Sequence, residues 1–101
     1  MRLEEFKSIL EGTGLPVAYR YFAEAQNAPY IVFSSDGAHN VFADDKVYAA
    51  FGKIRVDLYT NKKDVQTEQL LENALSDFSY EKSESYIDSL KMIQIIYEME
   101  I

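Results

Sequence analysis

The chain has 101 residues, of which 48% are hydrophobic and 14% aromatic, with eight Tyr, no Trp and no Cys. That length gives one domain, residues 1–101, which buries roughly 65% of its unfolded-chain surface, and the absence of cysteine excludes a disulfide framework, a thiolate nucleophile and a Cys-based zinc site. Ten Lys and Arg against 17 Asp and Glu leave a net charge of −7, which speaks against sustained contact with nucleic-acid phosphates as the main task.

The first segment, MRLEEFKSILEG, carries Leu3, Phe6, Ile9 and Leu10 at three- and four-residue spacing. This predicts a short amphipathic helix, with Glu4 and Glu5 favouring its N-terminal dipole and Gly12 or Gly14 ending it. The acids also stand where a signal peptide would have a basic flank and an apolar run. No apolar run is long enough to span a bilayer. The expectation is a soluble chain, intracellular when it folds, with no membrane partner.

Leu15-Pro16 starts an extended exit. Residues 17–23, VAYRYFA, predict a strand, residues 24–29 a polar turn, and residues 30–34, YIVFS, a second strand. The two are expected to form a hairpin. Residues 35–45, SDGAHNVFADD, read as a loop, with Asp36-Gly37 as a candidate tight turn.

Residues 46–60, KVYAAFGKIRVDLYT, predict a long strand. From Ile54 onward the alternation is clean: Ile54, Val56 and Leu58 point one way, and Lys53, Arg55, Asp57 and Tyr59 the other. Val47, Ala49 and Phe51 are out of phase with that set, and Gly52 at the slip predicts a β-bulge or bend. Asp64 is the expected cap of a helix running to about Asp77. Its apolar stripe is Leu71, Ala74, Leu75 and Phe78, flanked by Leu70 and Val65, with Glu68, Gln69, Glu72 and Asn73 wet. Residues 79–89 read as two short strands or a frayed loop. The C-terminal alternation of Ile93, Ile95, Tyr97, Met99 and Ile101 predicts a final strand. The order implies an α+β fold, a two-layer sandwich of a mostly antiparallel sheet with two helices packed on one face.

Candidate chemistry is sparse. Asp36, His39, Asp44 and Asp45 fall in the expected loop and could hold a divalent ion. They match no metal loop of defined spacing, and a solvated acidic turn is the commoner meaning of such a cluster. His39 is the only histidine, and no Ser sits in a nucleophile elbow. Gly12-Thr13-Gly14 lacks the Gly-Lys-Ser/Thr of a phosphate loop. The residues therefore give no catalytic, cofactor or metal site. Tyr19, Tyr21, Tyr48 and Tyr59 with Arg20, Lys53 and Arg55 could stack nucleic-acid bases. The acidity of the chain favours a protein–protein face instead, or tyrosines that cover core edges.

Taken together, LPVAYRYF, APYIVFSSDG, NVFADDKVYAAFGKIRVDLYTNKKD, TEQLLENAL and MIQIIYEMEI resemble the tail-completion (tail terminator, tail-to-head joining) proteins of long-tailed bacteriophages and prophages of Gram-positive bacteria. The resemblance spans nearly the whole chain and rests most on VDLYT-x-KKD and on Pro29-Tyr30-Ile31-Val32. It implies an α+β subunit that assembles as a ring, a hexamer in the family. Such a ring caps the tail tube, meets the head-side connector protein and lets DNA pass through its lumen. It implies residence in the virion neck or tail, and in the host bacterial cytoplasm during assembly. On this reading residues 34–45, with Asp36, His39, Asp44 and Asp45, are candidates for a lumen or stacking contact, and Lys53, Arg55, Asp57 and Tyr59 for the subunit interface. Other readings stay open: a different head–tail connector or head-closure protein, an acidic inhibitor that binds a nucleic-acid enzyme, or a small hydrolase or nuclease built on Asp36, His39, Asp44 and Asp45.

Overall fold

A computed structural model describes residues 2–43 and 46–101, and for residues 36–43 and 46–51 the backbone alone. The chain is an α+β sandwich. Its elements are α1 (Leu3–Glu11), β1 (Val17–Tyr19), β2 (Tyr30–Ala43), β3 (Lys46–Thr60), α2 (Val65–Ala74), β4 (Tyr80–Ile87) and β5 (Met92–Glu100). The five strands form one sheet in the order β1-β2-β3-β5-β4. Every pairing is antiparallel except that of β1 with β2.

The alternation read from Ile54 onward places Ile54, Val56 and Leu58 on the covered face, each at most 2% exposed. Ile31 and Phe33 of β2 and Ile95, Tyr97 and Met99 of β5 line up beside them in register. Over this layer lie Phe6 and Leu10 of α1, with Leu71 of α2 and Leu75 just beyond its last turn, all fully buried. The Phe6 ring meets Phe33 at 6.1 Å and Phe78, edge-on, at 5.5 Å, so one aromatic side chain ties α1 to β2 and to the segment between α2 and β4. α1 stops at Gly12, whose N–H donates to the Ser8 carbonyl, and Gly14 takes the positive φ of 83° that turns the chain toward β1. The Asp64 carboxylate starts α2 by accepting from the Thr67 N–H at 3.1 Å and from its hydroxyl at 2.6 Å.

Four expectations are corrected. The first two strands are parallel, not a hairpin. Arg20 at φ 68° and a bond from the Tyr21 N–H to the Tyr19 carbonyl end β1 after three residues, and residues 20–29 then cross back to start β2 beside Val17. Residues 35–43 are not a loop: β2 runs through them, paired with β3. Gly52 is not the bulge. The extra residues are Asp36 on β2 and Tyr48 on β3, where the register shifts, and the Gly52 N–H and C=O instead bond to Ile101 at the end of β5. Residues 80–87 form one strand.

Leu71 is fully buried between the helix layer and the sheet. Leu71→Ala is expected to cost about 2–5 kcal/mol of unfolding free energy. Urea denaturation checks this, and a loss under about 1 kcal/mol would mean that the helix layer is not packed on the sheet as described.

Candidate functional site

The face of the sheet away from the helices carries the alternate residues of each strand. Register sets them in rows: Tyr30, Tyr59, Gln94 and Ser85; then Val32, Asp57, Ile96 and Ser83; then Ser34, Arg55, Glu98 and Glu81. Residues 20–26 rise along one side of this face and Ile87 and Leu90 along the other, enclosing an open concavity of about 560 Å³.

Its floor is a connected polar group. The Arg55 Nε donates to Asp57 Oδ1 at 2.8 Å, two residues along the same strand and so on the same face. Gln94 Nε2 reaches both Asp57 Oδ2 at 3.3 Å and the Tyr59 hydroxyl at 3.2 Å, while Gln94 Oε1 accepts from Ser85 Oγ at 3.1 Å. Asp57 is only 9% exposed although no helix covers this face. A carboxylate held so far out of water needs hydrogen-bonding partners, and Arg55 and Gln94 supply them. The Asp57 carboxylate in turn holds the Arg55 guanidinium above its usual value. Burial, with the nearby Asp57 charge, pushes the Tyr59 phenol up, so it stays a neutral hydrogen-bonding group. The Tyr30 and Tyr59 rings, directly paired across β2 and β3, stack at 4.9 Å, and Phe22 meets Tyr30 edge-on at 5.5 Å.

Arg55, Asp57 and Tyr59 therefore meet in one site, as the period-2 pattern predicts. Lys53 shares their face but opens onto a second concavity of about 700 Å³, with Asp77, Glu81, Glu98 and Glu100 around it. Asp36 and His39 lie in β2, at the bulge and opposite Phe51, rather than in a loop. Asp44 and Asp45 lie outside the described residues, as does the side chain of Tyr48. Of the other tyrosines in the stacking group, Tyr21 is 73% exposed at the rim of the first concavity. Tyr19 instead packs edge-on to Phe33 at 5.2 Å, with the Arg20 guanidinium 5.3 Å from its ring. Gln94 and Tyr30 were missed. Their signal was register, which only the paired sheet supplies. Among the described residues no group of three or more His, Asp or Glu stands at metal-holding spacing, and no helix is long and apolar enough to cross a membrane.

A second polar group joins α2 to β4. Glu68, expected to be wet, is 3% exposed. Its oxygens lie 2.9 and 3.0 Å from Lys63 Nζ and 3.0 Å from Lys82 Nζ. Oε2 makes no well-angled hydrogen bond, and the Lys63 charge beside it is what offsets its burial. Lys82 also pairs with Glu72 at 2.7 Å, which accepts from the Tyr97 hydroxyl at 2.8 Å. Glu84 completes the group, 2.6 Å from Lys63. This arrangement is structural: it pins the crossover helix to an otherwise exposed edge strand.

Compared with family models and with curated proteins, the chain matches none.

Burial opposes ionisation of Glu68, yet Lys63 and Lys82 outweigh it and hold the carboxyl below its ordinary 4.5. A depressed carboxyl contributes stability that is present above the ordinary value and is lost as pH falls through the folded one. Thermal melts from pH 6 down to about pH 3 should therefore show a steeper loss for the parent chain than for Glu68→Gln, which starts lower and falls less. Parallel curves would mean that the lysines do not hold Glu68 in solution.

Proposed function

We propose that the chain is a structural neck protein of a long-tailed phage or prophage. It caps the tail tube, joins the tail to the head-side connector and performs no catalysis. The observation that carries this reading is the uncovered sheet face, where Asp57, largely buried, is paired with a half-buried Arg55 beside stacked Tyr30 and Tyr59. Arg and Tyr side chains gathered in one concavity are those on which protein–protein contacts concentrate their energy. The whole-chain resemblance to tail-completion proteins gives that face its context, a ring of identical subunits meeting tail-tube and connector proteins. The net charge of −7 suits a wall past which DNA slides without sticking. Assembly then takes place in the bacterial cytoplasm, and the finished protein resides at the virion neck.

Light scattering behind size exclusion, over a wide concentration range and with and without purified tail tubes, tests the proposal. The expected result is a ring, or a monomer that becomes a ring on the tube end. Arg55→Ala together with Tyr59→Ala should weaken that assembly by at least tenfold in apparent affinity, equivalent to about 1.4 kcal/mol or more. A folded monomer that ignores tail tubes at every concentration would overturn the reading.

A further inference from the structure

β2 and β3 outrun the rest of the sheet. β1 stops opposite Phe33, and β5 makes its last contact at Gly52, through Ile101. Beyond those points residues 39–43 pair only with residues 46–51, and no third strand flanks either segment among the described residues. The result is a two-stranded arm roughly 20 Å long at about 3.4 Å per residue. Such a ribbon is marginal alone, because two strands cannot bury an apolar face between them. Yet nine of the thirteen residues in 37–43 and 46–51 are hydrophobic, against 48% of the chain. A sequence of that kind on an arm of that kind calls for a surface supplied by another molecule.

The charges say which surface. Residues 36–51 carry Asp36, Asp44 and Asp45 against Lys46, a net −2. The concavity beside Lys53 is ringed by four carboxylates for that one lysine, a net −3, and would repel the arm. The Tyr30–Tyr59 concavity is neutral, with Arg20 and Arg55 set against Glu24 and Asp57. Its rim also offers exposed Tyr21 and Leu90. In a chain of net −7 it joins a neutral lining to aromatic surface. In a head-to-tail series of copies of this chain each subunit gives one arm and receives another, so every subunit is held on two sides.

We infer that the arm of one copy docks in the Tyr30–Tyr59 concavity of the next. The inference rests on the self-association in the proposed function, not on tail or connector binding. The contact joins two different patches, so it is heterologous and propagates around a ring or along a filament.

The chain has no cysteine, which allows a clean cross-linking test. Val41→Cys protein is mixed with Leu90→Cys protein under mild oxidation, and in a parallel sample with Val65→Cys protein, whose substituted site is 64% exposed on α2. Phe42→Cys is then run in place of Val41→Cys, so that both faces of the ribbon are sampled. The expected result is several-fold more 41–90 or 42–90 dimer than either dimer with position 65. Equal yields, dominant arm-to-arm dimers or no cross-link at any concentration would overturn the inference. As a second measurement, residues 39–51 are replaced by Asn-Gly, joining the paired Ala38 and Gly52 through a two-residue turn. That variant should keep its circular dichroism and lose self-association, and an arm-less chain that still associates would overturn the inference. Binding to tail tubes is read separately, so an intact arm contact without tube binding sinks only the neck reading, and tube binding without the arm contact sinks only this one.

Discussion

Ile54, Val56 and Leu58 are almost wholly withdrawn from water on one face of the central strand, and most of the architecture serves that withdrawal. A strand has two faces, and two short helices can cover only one. Phe6, Leu10, Leu71 and Leu75 are spent on the covered side. The opposite side of β3 is left to manage water with Arg55, Asp57 and Tyr59. Its chemistry is therefore a consequence of where the helices went, and the parity of a single strand decides which residues face a partner.

The uncovered side is not simply wet. The loop that returns from β1 to β2 is needed because those strands are parallel, and in crossing back it raises a wall beside the open face. The wall takes water away from Asp57, and Asp57 then needs Arg55 and Gln94. Burying such a pair costs desolvation energy that its attraction need not recover, so it is weak evidence of stabilisation for its own sake. It gains sense if a partner later completes the burial. The Glu68 group is no less withdrawn from water, its carboxylate 4% and Lys82 36% exposed against 12% for Asp57 and 37% for Arg55, but it lies between α2 and β4 and fastens the two.

How much of this was legible follows from what each signal encodes. Local periodicity placed both helices, β3 and β5, and put Arg55, Asp57 and Tyr59 on one face, because alternation is a property of the strand itself. Partnership is not. Nothing local to residues 17–34 distinguishes a hairpin from a parallel pair: the choice turned on Arg20 adopting a left-handed conformation that sequence does not announce. The same limit hid β2 beyond Ser34, where Asp36-Gly37 and Asn40 look like turn residues but are carried in a ladder with β3. Glu68 escaped because its helix position was read as solvent, while the lysines that make its burial tolerable come from the turn before α2 and from β4. Gln94 and Tyr30 joined the site only once register was known.

The two bulges bear on the arm. Asp36 sits at the point where β1 has ended and the ribbon leaves the five-stranded sheet, and Tyr48 lies farther out on the opposite strand. A bulge bends its strand and increases local twist, so the first re-aims the ribbon at its root and the second re-aims it toward its end. At the root, the β2 edge is also occupied: the Ser35 N–H donates to the Tyr19 hydroxyl at 3.3 Å and its carbonyl accepts from Arg20 at 3.4 Å. Those contacts discourage another chain from adding a strand there, where edge pairing would be easiest. An arm that is redirected at its base, where edge addition is discouraged, is suited to meeting a neighbour with its faces. That is the geometry required to enter a concavity floored by a sheet rather than to extend the sheet.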